Sequence, residues 1–371
     1  MKITKIESFP IAFTKSQMRE SLGMINFSWV ITKIYTDVGI TGFGETPTLS
    51  GTPIKSEQTY EETKIAIDKY LAPTIIGMDP FDIERIVLAM DSCLVGHPRS
   101  KSAIELGLWD IMGKALNVPV YKLLGGLFRK EIPALGLVGI TTREETEKHV
   151  SFLKEKGYKT FKIKIGPDPK QDLKTVQMIR EIIGDELDFR VDLNQAYSVS
   201  TAIRTLKEME KFRLEMIEQP VLEWDIDGMA KVADAIDTPI LADEPIHSPH
   251  DALNVIKKGA ADIIIVKPME GGILKARNIA AIARAGNIPC LVGSTGESFV
   301  GFLAQLHFAA ATPNMVYPND VYGVPGEVPW LTETILTELP EFKDGNYIVP
   351  EKPGWGIEID EEKMMKNLLP V

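Results

Sequence analysis

The sequence has few of the residues that mark disulfide-stabilised, membrane-bound or secreted proteins. Among its 371 residues there are two cysteines, Cys93 and Cys290, which lie far apart within apolar runs. This placement favours two reduced core thiols over a disulfide or a metal site. No stretch approaches the roughly 18 apolar residues of a membrane-spanning helix, and residues 1–10 lack the features of a secretion signal. We therefore expect a soluble, cytoplasmic protein with no membrane partner.

Positive charge is also scarce, because 41 Lys and Arg residues stand against 52 Asp and Glu residues, which gives a formal net charge of −11 at pH 7. Nonspecific binding of nucleic acid requires a basic surface, so no nucleic-acid partner is expected. An anionic substrate would have to be attracted locally, by a metal ion or by a few lysines. The length of the chain suits a barrel with a smaller additional module.

Residues 1–125 show no regular repeat and predict an α+β domain. The alternation of residues 28–36 predicts a strand, and the turn that follows it begins at Asp37. Three helical patterns follow, near residues 57–72, 81–92 and 100–117. The pair Gly125-Gly126 ends this module.

From about residue 126 the pattern changes to a regular alternation of strand and helix. Eight short apolar runs recur, and they lie at residues 135–140, 160–166, 189–195, 215–220, 239–245, 262–268, 289–295 and 315–320. The amphipathic stretches between them are long enough for a crossover helix, so the pattern predicts an α/β fold with a (β/α)8 barrel. The competing open, doubly wound sheet would need a glycine-rich phosphate turn after its first strand, which residues 139–142 do not provide.

Three segments are therefore predicted. The α+β domain covers residues 1–125, the barrel covers residues 126–340, and a C-terminal segment at residues 341–371 packs back on the first domain.

Three carboxylates interrupt consecutive barrel strands near their carboxyl ends, where barrel enzymes place their chemistry. Asp192, Glu218 and Asp243 are spaced by one barrel period each, so we expect them to converge. Converging carboxylates repel unless a cation neutralises them, and oxygen ligands favour Mg²⁺, with Mn²⁺ as an alternative, over Zn²⁺. A competing interpretation is that each acid only caps the helix that follows it.

Lysines flank this triad. Lys162 and Lys164 are two residues apart on the second barrel strand and therefore point to the same side of it. Lys267 lies on the sixth strand, across the barrel mouth from Lys164. Such an arrangement suits a carboxylate substrate bound to a metal with one amine on each face. The metal and the ammonium groups would stabilise the negative charge that develops when an α-proton is removed.

The candidate site residues lie in short sequence motifs that are found together in one protein family. They are Lys162-Ile163-Lys164, Asp192-Leu193-Asn194, Ile217-Glu218-Gln219-Pro220, Ala242-Asp243-Glu244, Lys267 with Gly271-Gly272, and Gly293-Ser294-Thr295-Gly296-Glu297-Ser298, with Gly42-Phe43-Gly44-Glu45 and Leu108-Trp109-Asp110 in the first domain. Over nearly the whole chain the sequence resembles the enolase superfamily, and within it the muconate lactonizing enzyme (muconate cycloisomerase) subgroup. Sites of this superfamily use a lysine or histidine base with one or two Mg²⁺ ions.

The resemblance implies a role for each motif residue. Lys164 would be the base on one face and Lys267 the acid or base on the other, while Lys162, Asn194 and Glu244 would support them. Asp192, Glu218 and Asp243 would bind Mg²⁺, and residues 1–125 would form the capping domain. Further residues would line the substrate pocket, namely Arg19, Met24, Phe27, Leu49, Ser294, Glu297, Asp320 and Tyr322.

The reaction is narrowed but not fixed by this resemblance. A mandelate-racemase-like member would carry a histidine after strand 7, where this chain has Gly293-Ser294. Asp320-Val321-Tyr322-Gly323 is similar to the segment of muconate lactonizing enzymes, whereas dipeptide epimerases carry a second aspartate where Tyr322 stands. We expect a muconate cycloisomerase-like isomerase acting on a small carboxylate through an enolate, with racemase, epimerase or dehydratase activity as alternatives.

The segment after Lys267 departs from the family pattern in two ways. Pro268 directly follows Lys267, and the gap to Gly271 is one residue short of the common pattern.

A noncatalytic barrel that binds a metal and a carboxylate is disfavoured, because all three acids and both lysines are present. A phosphate-binding barrel is disfavoured by Glu297 in its expected phosphate loop. Relatives commonly form dimers to octamers, so a homo-oligomer is expected.

Overall fold

The computed structural model describes residues 1–13, 17–20, 23–50, 58–139 and 141–370, with the backbone alone for residues 17–20, 23–25 and 50. The first domain begins with an antiparallel sheet. Its strands are β1 (Ile3–Ile11), β2 (Gln17–Glu20), β3 (Gly23–Thr36) and β4 (Thr41–Ser50). The long strand β3 is central, because it pairs with β1 and β2 on one edge and with β4 on the other.

Helices cover this sheet. They are α1 (Tyr60–Ile65), a π-helical stretch (Ala66–Leu71), α2 (Ala72–Ile75), α3 (Ile83–Cys93), α4 (Pro98–Leu116) and α5 (Val120–Leu123). Helix α4 approaches the backbone of β4 so closely that a Cβ on Gly44 would lie 1.8 Å from the Ala103 carbonyl oxygen. The Gly-Phe-Gly motif of β4 is thus explained by close packing of helix on strand.

Parallel strands form the barrel. They are β6 (Gly136–Val138), β7 (Thr160–Lys164), β8 (Asp188–Asp192), β9 (Ile217–Glu218), β10 (Ile240–Ala242), β11 (Ile263–Val266) and β12 (Cys290–Val292), and each pairs with the next in chain order. The eighth run closes the ring by single parallel bridges, from Met315 to Cys290 and from Asn319 to Ala134. Pro318 within this run cannot donate a backbone hydrogen bond, which accounts for its irregularity.

Helices alternate with these strands. They are α6 (Arg143–Glu155), α7 (Pro169–Ile183), α8 (Val199–Met209) with a 3₁₀ turn (Glu210–Phe212), α9 (Ile226–Ala235), α10 (Pro249–Lys258), α11 (Ile273–Ala285) and α12 (Val300–Ala311). Thr142 and Glu145 form a capping box at α6, which satisfies otherwise unpaired backbone N–H groups. The predicted α/β barrel is confirmed.

The C-terminal segment is divided between the two halves. Strands β13 (Phe342–Lys343) and β14 (Asn346–Ile348) pair with β5 (Glu131–Pro133) next to the barrel. After them, Trp355 donates its indole N–H to the Phe43 carbonyl of the first domain at 3.0 Å, and α13 (Glu361–Lys366) pairs with Lys33 of β3. The predicted return to the first domain therefore begins later than residue 341, and the three domain limits stay a prediction.

The cysteine prediction was half right. Cys290 is buried in β12, but Cys93 is exposed at the end of α3, so it is not a core thiol. Among the helices that the structure describes, none is long and apolar enough to cross a membrane.

Candidate active site

The alternation of side chains along the barrel strands creates two layers inside the barrel. The lower layer is an apolar cluster, made of Met216, Leu241, Ile263, Ile265 and Leu291. Two residues further along the same strands come Glu218, Asp243 and Lys267. Because side chains of a strand repeat with period two, residues that follow the apolar layer point into the same interior. The sequence thus places a polar layer at the carboxyl ends of the strands, above an apolar one.

Lys162 is the most enclosed lysine of this layer. Its Nζ lies 2.7 Å from carboxylate oxygens of Glu218 and Asp320 and 3.4 Å from Asp192 Oδ2. Burial, the largest single effect, lowers the pKa of Lys162, but these three carboxylates together raise it well above its ordinary value. Lys162 is therefore a fixed positive charge, suited to neutralising neighbouring acids and unsuited to acting as a base.

Lys164 lies beside the triad and is partly open to solvent. Its Nζ donates to Asn194 Oδ1 at 3.0 Å and lies 3.9 Å from Asp192 Oδ2. Asn194 in turn donates from Nδ2 to Glu244 Oε1 at 3.0 Å. Asn194 and the next residue, Gln195, both have positive φ, of 39° and 72°. This left-handed turn directly after β8 is sparsely populated by residues other than glycine, and it brings the amide side chain back over the strand end.

Lys267 stands on the other side of the acids, four strands from Lys164 in the sheet order. Its Nζ forms an ion pair with Asp243 and lies 3.6 Å from Glu270 Oε1. Burial lowers the pKa of Lys267, and the carboxylates of Asp243, Glu270 and Glu244 outweigh this effect and raise it well above its usual range.

The three carboxylates predicted to bind metal do not cap helices. The helices after β8, β9 and β10 are capped by Ser198, Asp225 and Ser248, so the competing interpretation of Asp192, Glu218 and Asp243 is disfavoured. Two of their oxygens, Glu218 Oε2 and Asp243 Oδ1, are fully buried, and each forms an ion pair with a lysine, Lys162 and Lys267 respectively. Burial, reinforced by Asp192, raises the pKa of Glu218 well above its ordinary value.

The charge of the cavity that contains these groups is unbalanced. Its lining carries seven carboxylates and four cationic side chains, so three negative charges remain in excess when all are ionised. Within the part of the chain that the structure describes, no three His, Cys, Asp or Glu side chains form a ready-made metal cluster, and Lys162 contacts two of the three acids. The donor set of buried carboxylate oxygens nevertheless fits a hard divalent cation, which prefers oxygen ligands and would offset the excess charge.

One wall of the cavity is apolar and comes from both halves of the molecule. Phe27 of β3 stacks on Trp330 of the barrel, with ring centroids 4.9 Å apart and planes inclined by 12°. Tyr322 packs edge-on against Trp330, and Leu49 of β4 completes the wall. Both Phe27 and Leu49 are buried. The capping domain therefore contributes side chains to the wall of the cavity.

Five of the eight predicted pocket residues line this cavity. Phe27, Leu49, Ser294, Asp320 and Tyr322 are among its lining. The side chains of Arg19 and Met24 lie outside the described residues.

Glu297 does not line the cavity. It is fully buried and accepts hydrogen bonds from the Ser294 hydroxyl at 2.6 Å and from the Thr295 backbone N–H at 2.8 Å. Because these bonds fix the loop after β12, Glu297 shapes the wall from behind.

Sequence reasoning missed several lining residues, namely Arg99, Leu137, Glu223, Glu270, Thr295 and Trp330. Arg99 lies on a capping helix far from the barrel motifs, and no local pattern predicts that it reaches the barrel. Glu270 carried a usable signal, because it falls within the shortened segment between Lys267 and Gly271. His247 also lines the cavity, and its Nε2 lies 3.3 Å from Glu223 Oε2.

Fold and cavity together define a capped (β/α)8-barrel protein whose acidic, lysine-flanked cavity opens at the carboxyl ends of its strands. Comparison with known proteins gives the family. Residues 145–363 match the model of enolase C-terminal domain-like sequences, and residues 15–125 match the N-terminal domain of mandelate racemase / muconate lactonizing enzymes.

Relatives with three different activities are similar to the chain over most of their length. It is 35% identical to an L-Ala-D/L-Glu epimerase of Clostridium acetobutylicum, over 89% of this chain and 90% of the relative. It is 33% identical to an N-succinyl-L-Arg/Lys racemase of Bacillus cereus, over 91% and 89%. The crystal structure of 2-chloromuconate cycloisomerase from Rhodococcus opacus 1CP superimposes with a TM-score of 0.93 and 30% identity, covering all of both chains.

The chain belongs to the mandelate racemase / muconate lactonizing enzyme family of the enolase superfamily, in the muconate lactonizing subgroup. It is an enzyme of the isomerase class, as are these cycloisomerase, racemase and epimerase relatives.

Proposed function

We propose that the enzyme removes a proton from the carbon next to a carboxylate, with Mg²⁺ as cofactor and with Lys164 and Lys267 acting on opposite faces of the substrate. The observation that carries this proposal is that both lysines line one cavity from β7 and β11, with the three acid-bearing strands between them. A group placed between two such amines can lose a proton to one and receive a proton from the other.

Asp192, Glu218 and Asp243 would hold the metal ion, and Mn²⁺ is the alternative. The bound cation would supply a Lewis acid that stabilises negative charge on the substrate carboxylate as the α-proton leaves. The burial of the Glu218 and Asp243 carboxylates, in a cavity whose lining has more acids than cationic side chains, supports this assignment.

The remaining side chains have separate tasks in this proposal. Lys162 holds Glu218 and Asp320 in place and keeps part of their charge neutralised. Asn194 orients Lys164 because its Oδ1 accepts a hydrogen bond from Lys164 Nζ, and Glu244 fixes the Asn194 amide by accepting a hydrogen bond from its Nδ2. The apolar wall of Phe27, Leu49 and Trp330 excludes water from the side of the substrate opposite the acids.

Racemisation or epimerisation of an amino-acid derivative is the reaction that we favour. Inversion at a carbon requires a proton to leave from one face and to return to the other, so it uses both lysines. The two relatives described above that share 33–35% identity with the chain are an epimerase and a racemase.

Cycloisomerisation of a muconate-like diacid is the second candidate. It is supported by the nearly parallel rings of Phe27 and Trp330 in the cavity wall, which suit a planar unsaturated carbon chain, and by the similarity to a chloromuconate cycloisomerase. In either case the partner is a small carboxylate, and we also propose a homo-oligomer.

The test is solvent deuterium uptake in D₂O with Mg²⁺, followed by mass spectrometry, over N-acylamino acids, dipeptides, proline derivatives, acid sugars and muconates. Uptake without another mass change identifies a racemase or epimerase, a deuterated lactone identifies a cycloisomerase, and loss of water identifies a dehydratase.

Variants test the lysines in the same assay. Lys164→Ala and Lys267→Ala should each abolish exchange of one enantiomer and leave exchange of the other measurable. Lys352→Ala, at an exposed position of the C-terminal segment, is the matched control and should exchange both enantiomers as the unaltered enzyme does. Equal loss of exchange for both enantiomers in both lysine variants, or exchange without any divalent cation, would contradict the proposal.

A further inference from the structure

The short segment after Lys267 forms a turn that returns an acid to the lysine. Pro268 follows Lys267 directly, and its fixed φ suits the second position of a turn. The Glu270 backbone N–H donates to the Lys267 carbonyl at 3.1 Å and closes this turn. As a result the Glu270 carboxylate lies 3.6 Å from Lys267 Nζ. The two departures from the family pattern, the proline and the shortened gap, therefore act together to bring Glu270 beside Lys267.

One face of capping helix α4 holds this turn. Arg99, Ser102 and Glu105 are spaced by three residues and so project from the same side of the helix. The Arg99 guanidinium lies 3.8 Å from Glu270 Oε1, and the Ser102 hydroxyl donates to the Met269 carbonyl at 2.8 Å. Glu105 accepts the Leu274 backbone N–H at 2.8 Å, directly after the turn.

The contact between Glu270 and Lys267 matters because Asp243, the other acid that pairs with Lys267, is also assigned to the metal ion. Among the described residues, the ion pairs of Lys267 are with Asp243 and Glu270, and Asp243 is assigned to the metal ion. The Glu270 side chain is only 13% exposed and lies between Arg99 on one side and Lys267 on the other, so its position is fixed from both sides. It is thus the carboxylate that can orient Lys267 without also binding metal.

We propose that Glu270 is a positioning residue for Lys267, and that the face of α4 formed by Arg99, Ser102 and Glu105 sets its location. This inference rests on the proposed function of Lys267. It assigns Glu270 no contact with substrate, and its effect is confined to the face of the substrate that Lys267 serves. The capping domain thereby positions one of the two catalytic lysines as well as contributing to the cavity wall.

The experiment compares proton exchange on the two faces of the substrate within one enzyme. Deuterium exchange is measured for N-succinyl-L-arginine and N-succinyl-D-arginine with Mg²⁺, and Lys267→Ala identifies which enantiomer depends on Lys267. Glu270→Gln should slow exchange of that enantiomer by about 10- to 100-fold relative to the other, because a displacement of about 1 Å costs up to about 100-fold in rate. Glu186→Gln, at an exposed position outside the cavity lining, is the control and should leave the ratio within about twofold.

Equal slowing of both enantiomers in Glu270→Gln would overturn the proposal, because a merely structural role affects both faces. If Glu270→Gln does not fold, Ser102→Ala tests the same proposal from outside the cavity, because it removes the hydrogen bond from α4 to the turn after Lys267. It should change the ratio of the two exchange rates about threefold in the same direction. An unchanged ratio refutes the proposal.

A structural readout separates this inference from the proposed function. Crystal structures of the Mg²⁺-loaded enzyme and of Glu270→Gln should differ in the position of Lys267 Nζ by about 1 Å or more. If the unaltered enzyme exchanges neither enantiomer, the proposed function fails for this substrate, and an unmoved Lys267 in the variant would overturn the inference independently.

Discussion

A buried carboxylate at the junction of the two halves should make the stability of this enzyme depend on pH in an unusual direction. Glu105 projects from capping helix α4 onto the first turn of barrel helix α11. It is fully buried, and it accepts hydrogen bonds from the Leu274 backbone N–H and from the Trp109 indole. Burial, the largest effect, raises the pKa of Glu105 to about 7, against the opposing influence of these bonds.

The magnitude follows from the difference between the folded and unfolded states. The ordinary pKa of a glutamate here is 4.5, and the folded value is about 7. Between these two values the folded state holds a proton that the unfolded state releases, so the free energy of unfolding falls as pH rises through this window. At about 1.4 kcal/mol per pKa unit, Glu105 should make the protein about 3 kcal/mol less stable at pH 8 than at pH 4.5, relative to a neutral side chain.

The assay compares the enzyme with Glu105→Gln, which keeps an acceptor oxygen but does not titrate. The free energy of unfolding of both proteins is measured by urea denaturation at several pH values between 4.5 and 8. The difference, enzyme minus variant, should fall by about 3 kcal/mol over this range. Glu186→Gln, at an exposed position, is the control and should give a constant difference.

A constant difference for Glu105→Gln would refute this reasoning. It would show that the N-terminus of α11 stabilises the carboxylate anion as strongly as burial destabilises it, since backbone N–H groups and the helix dipole favour a negative charge there. The outcome therefore measures which of two opposing effects prevails at this junction.

Two further predictions concern the same region and the metal site. Gly272→Ala should destabilise the protein by about 3 kcal/mol more than Gly184→Ala in thermal unfolding. Both glycines have positive φ, but a Cβ on Gly272 would lie 1.7 Å from Glu105 Oε2, whereas a Cβ on Gly184 would meet open space. Equal losses of stability in the two variants would show that the Glu105 carboxylate moves away freely. Glu218→Gln should weaken Mg²⁺ binding, measured by calorimetry, by at least about 100-fold, because it removes a charged oxygen ligand; unchanged affinity would place the metal elsewhere.

The barrel could be predicted from the sequence because its signal is periodic. Apolar runs recur at lengths that fit one strand, and the amphipathic stretches between them fit one helix, so each unit supports the same assignment. The eighth run was placed correctly although it forms single bridges, since its register comes from neighbours on both sides. The division of the C-terminal segment was not predictable, because the pairing of Asn346–Ile348 with Glu131–Pro133 depends on contacts more than 200 residues apart in the chain.

The convergence of the acids and lysines in one cavity followed from the same periodicity, since strand ends in a barrel meet at one face. Contacts between the capping domain and the barrel could not be predicted from this periodicity. Arg99 and Trp330 reach the cavity from a helix and from a loop whose local sequences specify no such position. Cys93 was wrongly assigned to the core because an apolar neighbourhood in sequence does not determine which side of α3 a residue occupies.

The contacts between the halves also explain why the two units are found in one chain. Glu45 of β4 accepts the backbone N–H groups of Ser298, Phe299 and Gly301 at 2.9–3.0 Å, at the start of α12. Glu105 does the same at α11. These helices follow β11 and β12, which carry Lys267 and the loop of Ser294. Separating the capping domain would therefore leave two helix N-termini without their acceptors, directly behind the face of the barrel on which we place catalysis.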